Sequence, residues 1–185
     1  MTKRMTVVWA ALLLAAIAVV SSAPRALAAS RQELDRDGAR ALSDLCASNS
    51  AARLLRSKAK AVLVFPNMLK AGFLFGGQIG EGVLFKNGKP VAYYNSVAAS
   101  YGLQAGAQKF GYALFFMNND ALAYLDKSGG WEIGVGPSIV VVDEGMGKSI
   151  TSTTISQDVY AFIFSQKGLM GGLGVQGSKI TKISK

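Results

Sequence analysis

The sequence predicts an α+β, β-rich fold, an antiparallel sandwich or partly closed barrel of about eight to ten short strands. N-terminal helices and one short internal helix complete it. Three observations carry this. Glycines alternate with large apolar residues in Ala71–Gly82, Tyr101–Gln108 and Lys167–Gly174, a texture that costs a helix about 1 kcal/mol per glycine but suits strands that bend or approach another backbone closely. Apolar runs recur between turn signals at spacings of about 8–12 residues. Helical periodicity does not alternate with these runs, which argues against a parallel doubly wound sheet.

Residues 1–28 read as a secretory signal peptide. Lys3 and Arg4 form a basic start, Val7–Val20 is apolar, and Ala26-Leu27-Ala28 offers a small-x-small cleavage site. The apolar run falls short of the roughly 20 residues a spanning helix needs. Residues 29–57 form a helical segment, opened by a capping box at Ser30-Arg31-Gln32-Glu33. Leu34, Ala41, Leu42, Leu45, Ala52 and Leu55 share a face, and Asn49-Ser50 interrupts the helix and caps a second one to about Ser57.

Residues 58–185 form the β-rich domain. Ala61–Phe65 is a strand stopped by Pro66, and Asn87-Gly88 is a hairpin turn between Val83-Leu84-Phe85 and Val91–Tyr94. Tyr112–Met117 is a strand, after which Asn118 or Asn119 caps a short helix over Asp120–Leu125. Ser128-Gly129-Gly130 turns into alternating Trp131, Ile133 and Val135, then Ile139–Val142. Asp143-Glu144-Gly145 turns again, leading to strands over Ser149–Ser156, Val159–Phe164, Leu169–Val175 and Lys179–Ile183.

Composition excludes much chemistry. The chain has no histidine and one cysteine, Cys46, so histidine-based triads, thiolate clusters and ordinary zinc sites are out. Ser43-Asp44-Leu45 before Cys46 does not fit lipid attachment. Gly172-Leu173-Gly174-Val175-Gln176-Gly177 matches a dinucleotide fingerprint, but the chain ends eight residues later with no acidic side chain. Gly145-Met146-Gly147-Lys148-Ser149 resembles the end of a P-loop, with Val142 where the first glycine belongs. Asp143 and Glu144 read as solvated turn residues. Glu81, inside an apolar stretch, is an outward strand residue or a buried carboxylate needing a partner. No enzyme activity, cofactor, metal, nucleotide or nucleic acid is expected.

Surface charge remains. The full chain carries +9. Loss of residues 1–28 removes Lys3, Arg4 and Arg25, leaving 17 cations against 11 acids. Arg53, Arg56, Lys58 and Lys60 form one acid-free run; Lys167, Lys179, Lys182 and Lys185 form another. Such clusters are solvated charged faces or suit anionic bilayers, at about 1 kcal/mol per cation. Leu169 and Met170, beside Lys167, either dip into headgroups or pack in the core, and Tyr93, Tyr94 and Tyr101 are strand residues or interfacial aromatics.

Lys60-Ala61-Val62-Leu63-Val64-Phe65-Pro66, the Ala71–Gly82 and Tyr101–Gln108 blocks, and Gln166-Lys167-Gly168-Leu169 leading to Gln176-Gly177-Ser178, in that order, resemble the SYLF domain, a family of lipid-binding modules. The resemblance covers roughly residues 50–185. It implies non-enzymatic binding of acidic phospholipids, phosphoinositides among eukaryotic members, through the N-terminal amphipathic region. Ser50–Lys60 matches that region, and so Arg53, Arg56, Lys58 and Lys60. The expectation is a periplasmic or secreted protein, peripherally membrane-associated, with anionic membrane lipids as partners. The alternative is an envelope or host protein-interaction module; some eukaryotic SYLF proteins engage actin, which an exported protein would not meet in its own cell.

Overall fold

A computed structural model describes residues 29–127, 129–142, 150–151 and 153–185, apart from the side chains of 103, 104 and 170–177. The signal segment, Ser128, Asp143-Glu144-Gly145 and the P-loop-like stretch to Ser149 lie outside the described residues. Arg31–Lys185 is one compact unit, so the helices and the sheet belong together.

Helix α1 (Arg31–Ser48) buries Leu34, Leu42, Leu45 and Cys46. Helix α2 (Ser50–Lys58) starts where expected: Asn49, in extended conformation, accepts the Ala52 amide at 3.0 Å, satisfying one of the donors that a helix start leaves open. Leu55 and Ala52 are wholly buried beneath it.

The sheet has three long strands, β1 (Ala61–Lys86), β2 (Lys89–Phe116) and β5 (Val159–Ile183), and two short ones, β3 (Trp131–Glu132) and β4 (Ile139–Val141). The order is β1-β2-β5-β3, with β4 parallel to β5 and the other pairs antiparallel. It is a curled mixed sheet forming a half-barrel. The fold class is the expected one, but the short runs read from the sequence are joined into long strands. Pro66 does not stop β1. It sits in a register shift between Phe65 and Met68, on an edge strand where its missing amide donor is tolerated. The Asn87-Gly88 turn has φ 52° and 75°, the positive pair that matches strand twist in a two-residue hairpin.

Two further expectations differ from the structure. The strand expected over Ser149–Ser156 is absent from its described residues; Thr151 and Thr154 close a turn instead, through a 3.2 Å backbone bond. The alternation Trp131-Ile133-Val135 is strand only at Trp131–Glu132. The chain then turns so that Val135 O accepts the Trp131 indole N–H at 2.9 Å, which satisfies a buried donor that a continuing strand would have left open.

The long strands fold back on themselves. A methyl added at Gly72 would collide with Gly76, one at Gly80 with Met68, and one at Gly82 with the Phe65 ring at 2.6 Å. Two arms of β1 therefore face each other across a bend at Leu74, whose φ is 60°. Both arms end in one core of Leu63, Phe65, Met68, Leu84, Tyr94, Trp131 and Ile180. Helix α3 (Asn119–Ala123), capped by Asn118 at 2.8 Å, and a 3₁₀ turn (Tyr124–Asp126) close this base through Ala121 and Leu125.

Candidate functional site

At the bend, the three glycine-rich blocks lie side by side. Gly72 pairs with Gly106, and Gly106 with Met170; Gly76 pairs with Ser100, and Ser100 with Gln176. Period-two alternation sends successive side chains to opposite faces, and here its sense is inverted. Phe73, Phe75 and Tyr101 point outward and are 74%, 71% and 65% exposed. Leu69, Ile79 and Val97 share this outer face, half-exposed. The inner face carries Lys70, Gln78, Ser96 and Ser100, partly or fully buried. Phe75 and Tyr101 are register partners with ring centroids 4.9 Å apart. Leu169, at 88%, extends the patch onto β5.

The apex is free of charge along each strand. No Asp, Glu, Lys or Arg lies between Lys70 and Glu81, between Lys89 and Lys109, or between Lys167 and Lys179. Its border is basic. Lys109 and Lys167 are direct register partners, so two like charges stand opposite on one face, an arrangement that disfavours the sheet. Glu81 is the acid nearest the bend on β1, and Lys185 Nζ holds it at 2.8 and 2.9 Å, so the carboxylate has a specific ion-pair partner.

The residues expected at the site separate into two groups. Lys167 and Leu169 reach the apex, and Met170 follows in the same strand with its backbone paired to Gly106. The α2 cations sit at the base, beyond the opposite end of the arms. Arg53 donates to the carbonyls of Cys46 and Ala47 at 3.0 and 3.1 Å, closing the end of α1. Arg56 and Lys60 line a cleft of about 270 Å³ with Leu42, Phe85 and Asn87, and Lys58 lines another with Asn118 and Asp158. Burial pushes the Cys46 thiol up despite the nearby Arg56, which leaves it protonated and inert.

Phe73, Phe75, Lys70 and Lys109 were not legible as site residues. Their block reads as packed β structure, and its glycines do pack closely. Only the fold-back shows that the interleaved aromatics are on the convex side.

The profile of the Ysc84 family, described as "Las17-binding protein actin regulator", matches residues 97–185. That match is consistent with a SYLF-domain protein. The match spans most of β2 and all of β5, two of the three apex strands, together with the segment that closes the base. No curated protein matches the chain. SYLF is a family of binding domains, with lipid- or actin-related roles. No three His, Cys, Asp or Glu among the described residues lie close enough to hold a metal, and no helix among them is long and apolar enough to cross a membrane.

Proposed function

We propose that this SYLF domain binds acidic phospholipids at a membrane surface without chemical turnover, as an exported, peripherally associated protein. The observation that carries the reading is the inverted alternation at the apex. Strands that put apolar side chains outward and polar ones inward match a medium that is apolar outside, the pattern of strands facing lipid. A bare patch of this kind on a single chain otherwise has no cover.

Magnitudes favour insertion over purely electrostatic docking. Each large apolar side chain taken out of water contributes roughly 1.5–3 kcal/mol, against about 1 kcal/mol for a lysine beside anionic headgroups. Phe73, Phe75, Tyr101 and Leu169 together therefore outweigh Lys109 and Lys167. Five residues from the lysine row to Leu74, at about 3.3 Å each, reach roughly 15 Å. That is half of a hydrocarbon core of about 30 Å, so the apex enters one leaflet and does not span.

Flotation of the mature protein with vesicles of graded phosphatidylglycerol content tests this. Binding should rise with anionic fraction and fall by a factor of at least about 100 when Phe73, Phe75, Tyr101 and Leu169 are all changed to Ser. A protein that stays in the soluble fraction with acidic vesicles in dilute buffer would falsify the proposal. The second reading is a protein partner. It is favoured by the edge position of β1, which leaves strand backbone available for β-augmentation, and by the family's description. Capture of one envelope protein that survives the four serine substitutions would move the choice to it.

A further inference from the structure

Beneath the apex, the two arms enclose a cleft of about 330 Å³. Lys70 and Gln78 of β1, Ser96 and Gln108 of β2, and Gln166 and Ser178 of β5 line it. Phe110, Ile133 and Ile163 form its apolar side. Lys70 is the one charged residue among the described lining residues, is half-buried, and makes no ion pair with a described residue. The other polar groups are neutral amides and hydroxyls supplied by all three long strands, which suits recognition of hydroxyl groups rather than of further charge.

We infer that this cleft binds a phosphodiester whose headgroup carries free hydroxyls, as in a glycerophosphodiester. A single lysine matches a single negative charge; a headgroup with several phosphate groups would leave charges buried without partners. Gln78, Gln108 and Gln166 offer both donors and acceptors to vicinal hydroxyls. The apolar side accepts the first methylenes of an attached chain, and the volume lies at the lower end for small-molecule sites. This rests on the membrane reading only for the source of the ligand, because the cleft and the outer apex use opposite faces of the same strands.

Calorimetry with three probes tests it: glycerophosphoglycerol, dihexanoyl phosphatidylglycerol below its micelle concentration, and inositol trisphosphate. Saturable binding of either glycerol compound, tighter than that of inositol trisphosphate, is expected. Lys70→Met should weaken it about tenfold or more, the loss of one charge-assisted hydrogen bond, whereas Lys109→Met on the outer face should not. Equal affinity for the chain-free and chain-bearing compounds identifies a soluble source, and tighter binding of the latter a membrane source. Lys70→Met should leave vesicle flotation within about threefold, so failure of flotation in the unmodified protein sinks the membrane reading alone. Absence of saturable binding by both glycerol compounds, or binding indifferent to Lys70→Met, overturns the cleft assignment.

Discussion

The base and the apex of this half-barrel are built from the same three strands, yet treat their outer faces in opposite ways. At the base, Val62, Val64, Val83 and Phe85 alternate with the inner core residues Leu63, Phe65 and Leu84, and all are buried. Helix α1 covers the outer side there so closely that a methyl added at Gly38 would collide with Val83 and touch Phe85 at 3.4 Å. At the apex the outward residues are just as apolar, and no described element lies over them. Alternation alone fixes which residues share a face, and the cover decides whether that face is a core or a contact surface.

The largest expected effect tests this contrast directly. Phe65→Ala at the base should cost about 3–5 kcal/mol of unfolding free energy. Phe75→Ala at the apex should change it by no more than about 0.5 kcal/mol, while weakening flotation. Urea melts of the two variants provide the check; equal losses would mean that the apex aromatics are core after all.

A smaller difference is expected between two glycines of the same strand. Gly82→Val drives a branched side chain into the Phe65 ring and should cost roughly 1–3 kcal/mol. Gly77 faces the open side, where an added methyl meets only Ala98 O at 3.9 Å, so Gly77→Ala should be neutral to mildly stabilising. Measured together, the two separate the packing role of the inner glycines from mere strand flexibility.

Local chemistry made much of the base legible. Asn49 and Asn118 act as caps, Asn87-Gly88 turns the hairpin, and the β-rich class follows from glycine interleaving, because each depends on neighbours in sequence. The length of the strands was not legible, since Pro66 read as a stop where a register shift between Phe65 and Met68 absorbs it. Nor was the site. Lys109 becomes notable only when β2 and β5 bring it opposite Lys167, and Phe73 and Phe75 only when the bend at Leu74 turns them out. Conversely, Arg53 looked like surface charge available to a ligand, but its guanidinium is engaged by the α1 carbonyls, a pairing that spans the turn between two helices.

The Lys109–Lys167 pair sharpens the comparison further. Lys109→Gln removes a like-charge repulsion and should raise stability by a few tenths of a kcal/mol. It should also cost about 1 kcal/mol of vesicle binding, roughly fivefold at low salt, and flatten the salt dependence. Glutamine substitution at Arg56 of the base, outside the inserted patch, should leave binding unchanged. If Arg56 matters and Lys109 does not, the docking end has been assigned the wrong way round.

The smallest effect concerns acid. Asp158 accepts from the Ser138 amide and hydroxyl at 2.9 Å and from Asn118 at 2.7 Å, fastening β5 to β4 and to the cap of α3. These bonds, the Ser138 amide first, hold its carboxyl below the usual range. A depressed native pKa means that the stabilisation is fully present above the unfolded-state value of about 3.9 and is lost as pH falls through the native one. Acid should therefore loosen the base, where this carboxylate works, while the uncharged stretches of the apex have nothing to titrate. Asp158→Asn should flatten the decline in melting temperature below about pH 4 without altering flotation at neutral pH. An unchanged acid limb would assign the acid sensitivity to other carboxylates.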